Sequence, residues 1–301
     1  MSVYLVHGFR FDSEIPLEVP AGEGPADYEV RWGEAEPAGA GPPPGELLAE
    51  LNEDGVAYSV ARDGETLRMR LAGLVEFRIG PDAISVHMDP AADPEMASVL
   101  LSGSVPALLH TAAGTGVLHA SAVAFDDGAI VLVGGAGAGK STLSAVCCAA
   151  GGRLVTEDLL RLRMDPQGPV ALPGVPEIRL RPQAEALADA FPPEVRGSTP
   201  DGRTRLRFPS PEEAAVRVVV LPVPSREVDR LEADRLRPAE ALVELGRYPR
   251  VLGWKTPEVR MARFRMLAGL VRAVPVVRAR IPWGPPFDPA LADRLRALAT
   301  G

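Results

Sequence analysis

Short stretches in which apolar and polar residues alternate dominate the start of this chain, and alternation of period two is the mark of a half-buried strand. They predict strands over Val3–Phe11, Tyr28–Trp32, Ala57–Arg62, Thr66–Leu71, Val75–Ile79 and Ala83–His87, with turns at Asp63-Gly64 and Gly80-Pro81-Asp82. Pro37–Gly45 is rich in proline and glycine and reads as an exposed loop. The period then changes. Across Pro94–Ala112, Met96, Val99, Leu100, Leu101, Val105, Leu108 and Leu109 recur at helical spacing, predicting a helix that joins a β-rich part to the rest of the chain. No internal repeat is evident.

Beyond Gly114 the runs are more continuously apolar. Val117–Phe125 and Ala129–Val133 flank Asp126-Asp127-Gly128 and predict a hairpin. Ser141–Ala150 reads as a helix closed by Gly151-Gly152, and Arg153–Thr156 as a strand. A second hairpin is expected from Leu160–Met164 and Val170–Leu172, then an extended Glu177–Arg181 and a short helix over Pro182–Ala190. Residues 192–204, with Arg196, Arg203, Arg205 and Arg207 nearby, read either as a mobile loop carrying cations to a phosphate or as an ordinary solvated loop. Val216–Leu221 and Val276–Ile281 complete the strands; Pro238–Leu245, Val259–Val274 and Pro289–Ala299 complete the helices. The expected organisation is a β-rich domain over 1–92, a connecting helix over 93–113 and an α/β domain over 114–301.

One stretch changes the picture. Gly134-Gly135-Ala136-Gly137-Ala138-Gly139-Lys140-Ser141-Thr142 fits G-x-x-x-x-G-K-[ST], and it lies between a predicted strand and a predicted helix, as a phosphate-cradling loop requires. The only lysines of the chain are Lys140 and Lys255. In such a loop, backbone N–H groups and the helix N-terminus face the phosphates, Lys140 reaches the β- and γ-phosphates, and the Ser141 hydroxyl binds Mg²⁺. The expected nucleotide is ATP, with GTP as the alternative, since the chain has no Asn-Lys-x-Asp motif to read guanine. If Phe125 pairs with Ala129, His119 faces Gly135; a tighter turn is expected to put it opposite Ala136. Either register sets it against the loop unless a bulge shifts it by about one residue. A lone histidine in a strand is as readily a core residue as a catalyst. After the helix, Arg153–Thr156 delivers Glu157 and Asp158 at its carboxyl end, where parallel-sheet ligands sit; such carboxylates can hold a second Mg²⁺ position or supply a base, the alternative being a solvated acidic pair that starts a turn.

The chain has 301 residues, 46% of them apolar, enough for one large or two modest cores. Its net charge of −8 gives no overall electrostatic footprint for nucleic acid. No apolar run approaches the roughly 18 residues of a membrane span, and the start lacks a signal-peptide pattern, so a cytoplasmic protein is expected. Cys147 and Cys148, the only cysteines, are adjacent on a predicted helix and read as packing.

Leu118-His119-Ala120-Ser121, the glycine loop, Leu154–Asp158 and Glu177-Ile178-Arg179 together resemble the catalytic domain of bacterial HPr kinase/phosphorylase. More closely they resemble the HPr-kinase-like proteins of peptide natural-product clusters, including kinases of lasso-peptide precursors. The resemblance covers about residues 115–182. It implies a P-loop kinase domain in which Glu157 is the catalytic carboxylate, His119 sits beside it, Asp158 is the second acid near the metal, and Ser141 and Glu177 complete the Mg²⁺ site. Arg179, Arg203 or Arg205 would contact the transferred phosphate. The family has Asp-Asp where this chain has Glu157-Asp158, Gly where it has Ala120, and Gly-Leu-Gly where it has Leu180-Arg181. The last segment belongs to the reverse, phosphorylase reaction, which is therefore not expected. The implied activity is transfer of the γ-phosphate of ATP to a hydroxyl, most simply Ser, of a peptide or protein. The β-rich part is a candidate acceptor-binding module through an exposed sheet edge, and an oligomer is plausible by analogy with the HPr enzymes. A small-molecule kinase, or a nucleotide-dependent binding protein without transfer chemistry, are the alternatives.

Overall fold

A computed structural model describes residues 2–53, 56–199, 202–209 and 211–299. The chain is mixed α/β with several sheets and divides into two compact units. The first comprises Met1–Gly114 with Val251–Met261, the second Thr115–Arg250 with Ala262–Gly301. Residues 251–261, expected within the second part, thus pack with the first.

The first unit is an eight-stranded sheet built from β1 (Ser2–Val6), β2 (Phe9–Ser13), β3 (Tyr28–Trp32), β4 (Glu46–Glu53), β5 (Val56–Asp63), β6 (Thr66–Leu71), β7 (Val75–Ile79) and β8 (Ala83–Met88), in the order β1-β2-β3-β8-β7-β6-β5-β4. The run Val3–Phe11 is two strands, not one. His7 and Gly8 both take positive φ (47° and 87°), the requirement of a two-residue hairpin turn. The predicted joining helix is also two, α1 (Met96–Leu101) and α2 (Ser104–Ala112), interrupted at Ser102-Gly103.

Registers Val60↔Met69↔Phe77↔Val86 put one buried apolar row on one face of the sheet. The opposite face carries Arg68↔Arg78 and Arg70↔Glu76↔His87. Glu76, buried, accepts from Arg68, Arg70 and Arg78. These three guanidiniums outweigh its burial and hold its carboxyl down at about 2. The proline- and glycine-rich segment is mostly exposed, as expected, yet it is tied to this polar face: Arg78 pairs with Glu36, Arg70 Nη1 donates to the Gly41 carbonyl (3.0 Å), and Ala38 N donates to Asp89 (2.9 Å).

Both edges of this sheet are partly occupied. Leu5 N donates to Pro20 O and Gly22 N to Val3 O along β1; Lys255 N donates to Leu48 O, and Ala49 bridges Trp254, along β4. The open edge expected for peptide addition is therefore already taken at these positions by the chain itself.

The second unit is built on a larger sheet whose central strands are buried on both faces. Its strands are β9 (Val117–Leu118), β10 (Ala120–Phe125), β11 (Gly128–Val133), β12 (Arg153–Thr156), β13 (Leu160–Asp165), β14 (Gly168–Ala171), β18 (Ala214–Ser225), β19 (Glu232–Arg235) and β20 (Val276–Pro282). The site-bearing part runs β12-β10-β11-β18-β20-β19, with β11, β18 and β20 parallel. Alternation divides β10 and β11 between two cores. Ala120, Ala122, Ala124, Val131 and Val133 pack with α4 (Pro238–Leu245) and α5 (Pro257–Ala273). Val123, Phe125, Ile130 and Leu132 pack with α3 (Lys140–Ala149) and α6 (Leu291–Ala297). Burial on both faces explains why these strands read as unbroken apolar runs.

A separate three-stranded sheet, β15 (Glu177–Leu180), β17 (Thr204–Arg207) and β16 (Arg196–Ser198), adds Ile178, Leu180 and Leu206 to the α3 side. The segment expected as a mobile loop over 192–204 therefore contributes a strand and the start of another, although its residues 200 and 201 lie outside the described ones. Pro182–Ala190 winds as 3₁₀ turns. Among the described residues, no helix is long and apolar enough to cross a membrane.

Candidate functional site

Three chain segments meet at one end of the second sheet. The glycine loop leaves the carboxyl end of β11, His119 precedes β10, and Glu157-Asp158 follow β12. The hairpin register is Phe125↔Gly128 and Ala120↔Val133, one residue tighter than Phe125 facing Ala129, so His119 falls level with the first glycine of the loop rather than with Gly135 or Ala136. The predicted long strand also breaks there. Leu118 leaves β11 to pair with Leu160 of β13, and His119 N donates to Tyr248 O (2.9 Å).

The loop closes on itself. Gly137 and Gly139 take φ of 82° and 87°, conformations that suit glycine. Lys140, buried, donates from Nζ to the carbonyls of Gly134 (2.8 Å) and Gly135 (3.1 Å). Burial lowers its pKa, Glu157 and Asp158 oppose that, and the charges of Arg250 and Arg181 add to it. The Cys147 and Cys148 thiols of α3 are buried, and burial pushes Cys147 up to about 12, so it stays a thiol at neutral pH and packs in the core.

The two acids point to different partners. Asp158 has φ of 66°, and Leu159 N donates back to Glu157 O (2.8 Å), a tight turn centred on Asp158. Left-handed backbone at a residue other than glycine is a strained state held by its surroundings. Here the turn separates the adjacent carboxylates. Glu157 accepts from Ser141 Oγ (2.5 Å) and, more loosely, from Ser144 Oγ (3.4 Å). Burial raises its pKa, and Ser141 together with the buried Ser121 hydroxyl, which faces it without standard hydrogen-bond geometry, offsets part of that rise. Asp158 pairs through Oδ1 with His119 Nε2 (2.9 Å) and through Oδ2 with Arg250 Nη2 (2.7 Å). Burial works against its charge, but 48% of the side chain is exposed, and Arg250 and His119 hold it well below the usual carboxylate range.

These contacts rearrange the expected set. His119 sits beside Asp158 rather than Glu157, and Glu157 rather than Asp158 meets Ser141. Glu177, expected near the metal, is buried with its carboxylate on Arg179 Nε (2.6 Å) and near Arg205 Nε (3.8 Å); Ser141 and the acidic pair are not among its partners. Arg179 and Arg205 are thus engaged in the three-stranded sheet, and the backbone carbonyl of Arg203 accepts from Thr199 N (3.0 Å). The arginines whose charge reaches Lys140 are Arg250 and Arg181. Arg250 and Tyr248 give no signal in the sequence, because they follow α4 some 90 residues past the acids and carry no motif. A side chain on Gly135 would lie 3.8 Å from the Tyr248 ring, so that ring lines the loop.

Among the described residues no cluster of three or more His, Cys, Asp or Glu could enclose a metal by itself. Mg²⁺ does not need one, because it is commonly held by one or two carboxylates with water and substrate phosphates. Ser141 and Glu157, two oxygen donors already in contact at the start of α3, fit that requirement. No protein-family model matches the chain, and no curated protein matches it.

Proposed function

We propose that the second unit is a P-loop kinase domain of the HPr-kinase type, transferring the γ-phosphate of ATP to a hydroxyl of a peptide or protein. The observation that carries this is the meeting of a G-x-x-x-x-G-K-S loop, a Ser141–Glu157 pair and a His119–Asp158–Arg250 cluster at one end of one sheet. Loop amides and Lys140 bind the phosphates. Ser141 and Glu157 would hold Mg²⁺, which would supply neutralising charge to the phosphate oxygens.

Asp158 is the base. It is ionised, half-exposed and fixed by His119 and Arg250; those contacts make it a weak base, so it takes the acceptor hydroxyl's proton late in a loose transfer, once that oxygen is bonding to phosphorus and its proton has become acidic. As that O–H bond breaks, the oxygen bonds to the γ-phosphorus, and the bond from the γ-phosphorus to the bridging oxygen breaks, leaving ADP. Arg250, paired with Asp158, carries positive charge to the same end of the loop. The exchange of roles between the acids makes the Glu-for-Asp difference intelligible: the longer side chain is the one that reaches Ser141.

A small-molecule acceptor is the second reading, favoured by the occupied edges of the eight-stranded sheet, which remove the simplest way of adding a peptide strand. The test is transfer of label from γ-labelled ATP with Mg²⁺ into peptide, protein and metabolite fractions, run with wild type, Glu157→Gln and Asp158→Asn. Label in peptide or protein, lost in both variants while Asp158→Asn still binds ATP, supports the proposal. Label confined to metabolites supports the second reading. ATP binding without transfer by wild type overturns both.

A further inference from the structure

Among the described residues, the most exposed aromatic side chain lies not in the β-rich unit but just past the last strand of the nucleotide-binding sheet. Trp283 is 57% exposed and follows β20 directly. Its backbone N donates to Ser225 O (2.8 Å), extending the β18–β20 ladder by one step. The Arg226 guanidinium lies 5.0 Å from the centroid of its ring, a cation–π contact that fixes the indole from one side.

The position of this pair relative to the loop follows from the register. β18 is parallel to β11 and adjacent to it, Leu132 pairs with Val220, and β18 then runs five residues further, to Ser225. Its Pro224 comes within 3.6 Å of where a side chain on Gly139 would stand, so this extension lies against the loop. β20 keeps step beside it, with Pro224↔Ile281 and Ser225↔Pro282. The two carboxylates lie on the opposite flank, at the end of β12 beyond β10. A nucleotide whose terminal phosphate faces Glu157 and Asp158 therefore directs its other end toward β18 and β20. Ligands of parallel strands lie at their carboxyl ends, and that end is where Trp283 stands open.

We propose that Trp283, braced by Arg226, is the stacking platform for the base of the bound nucleotide. The inference rests on the proposed phosphate-loop reading and deepens it. It names a base contact in a chain with no guanine-reading motif, and it makes recognition a matter of a π-face rather than of base-edge hydrogen bonds. Stacking on an aromatic side chain tolerates any base, so ATP and GTP bind with similar affinity.

The experiment compares ATP, GTP and inorganic tripolyphosphate, each with Mg²⁺, on full-length wild type, Trp283→Ala and Trp283→Phe, by calorimetry. Tripolyphosphate carries the phosphates without a base. The expected result is a loss of ATP and GTP affinity of about 10- to 100-fold in Trp283→Ala, with recovery in Trp283→Phe and no change for tripolyphosphate. Equal ATP affinity in wild type and Trp283→Ala overturns the inference and leaves the phosphate loop standing. A matching loss for tripolyphosphate overturns it too, since the defect is then in the fold or the loop. If wild type binds neither ATP nor tripolyphosphate, the phosphate-loop reading itself fails.

Discussion

Replacing Glu76 by Gln removes the charge that three arginines surround on the polar face of the first unit. The carboxyl is held at about 2 against an ordinary 4.5. That difference corresponds to roughly 3 kcal/mol of stability at neutral pH. The sign is that of a depressed acid: the contribution is complete above pH 4.5 and is lost as pH falls toward 2. By pH 3 about 1.5 kcal/mol of it remains. Arg68, Arg70 and Arg78 have side chains 16%, 18% and 32% exposed, so solvent screens the cluster only in part. The assay is hydrogen exchange of amides in β6, β7 and β8. Where they exchange through opening of the unit, Glu76→Gln speeds them about 300-fold at pH 7 and about 10-fold at pH 3, relative to wild type at the same pH. Unchanged protection at pH 7 would refute the reasoning, as would an equal acceleration at both pH values, which would mean lost packing rather than a lost charge.

Asp158→Asn should leave ATP binding within about threefold and reduce transfer by about 10²- to 10⁴-fold, read by single-turnover kinetics. Wild-type transfer should show no acid limb from Asp158, which stays ionised, while Glu157, raised by burial, should set that limb above the ordinary glutamate range; a pH profile of kcat/KM in wild type and Asp158→Glu checks the assignment. Arg250→Ala should raise the Asp158 pKa and free its carboxylate, cutting transfer by more than it weakens tripolyphosphate binding, measured by the same kinetics and calorimetry. Leu206→Ala, fully buried between the three-stranded sheet and α3, should cost about 2–5 kcal/mol in urea unfolding of the second unit.

Much of this was legible along the chain where local pattern and tertiary environment agree. The ends of β6 and β7 fall where strict alternation begins and stops, and α4 begins at Pro238, at the first position of a helix, as proline prefers. The glycine loop with Lys140 and Ser141 stood out in the sequence because its residue types recur at a fixed spacing, and the fold brings Glu157 and Asp158 to the same end of the sheet. What was not legible was decided by partners far away. Leu47-Leu48 and Leu51 in Glu46–Glu53 repeat at helical spacing, yet the segment is β4, because pairing with β5 overrides the local period. The strands of 196–207 are short and arginine-rich and become strands only beside β15. Which acid faces which partner was hidden in one backbone angle at Asp158, and Arg250 could be found only in the folded chain.

The first unit is not a segment that can be cut away at one point. Val251–Met261 belong to it, with Val251 and Trp254 buried and Lys255 bonded to the β4 edge, although they lie far along the chain from everything else they join. A polypeptide begun at Thr115 would carry that segment with nothing to cover its two apolar side chains. One ended at Gly114 would leave the backbone of Leu48 and Ala49 free to pair with a neighbour. The first unit is therefore discontinuous in the chain, and dissecting its role calls for point substitutions rather than truncation at one point.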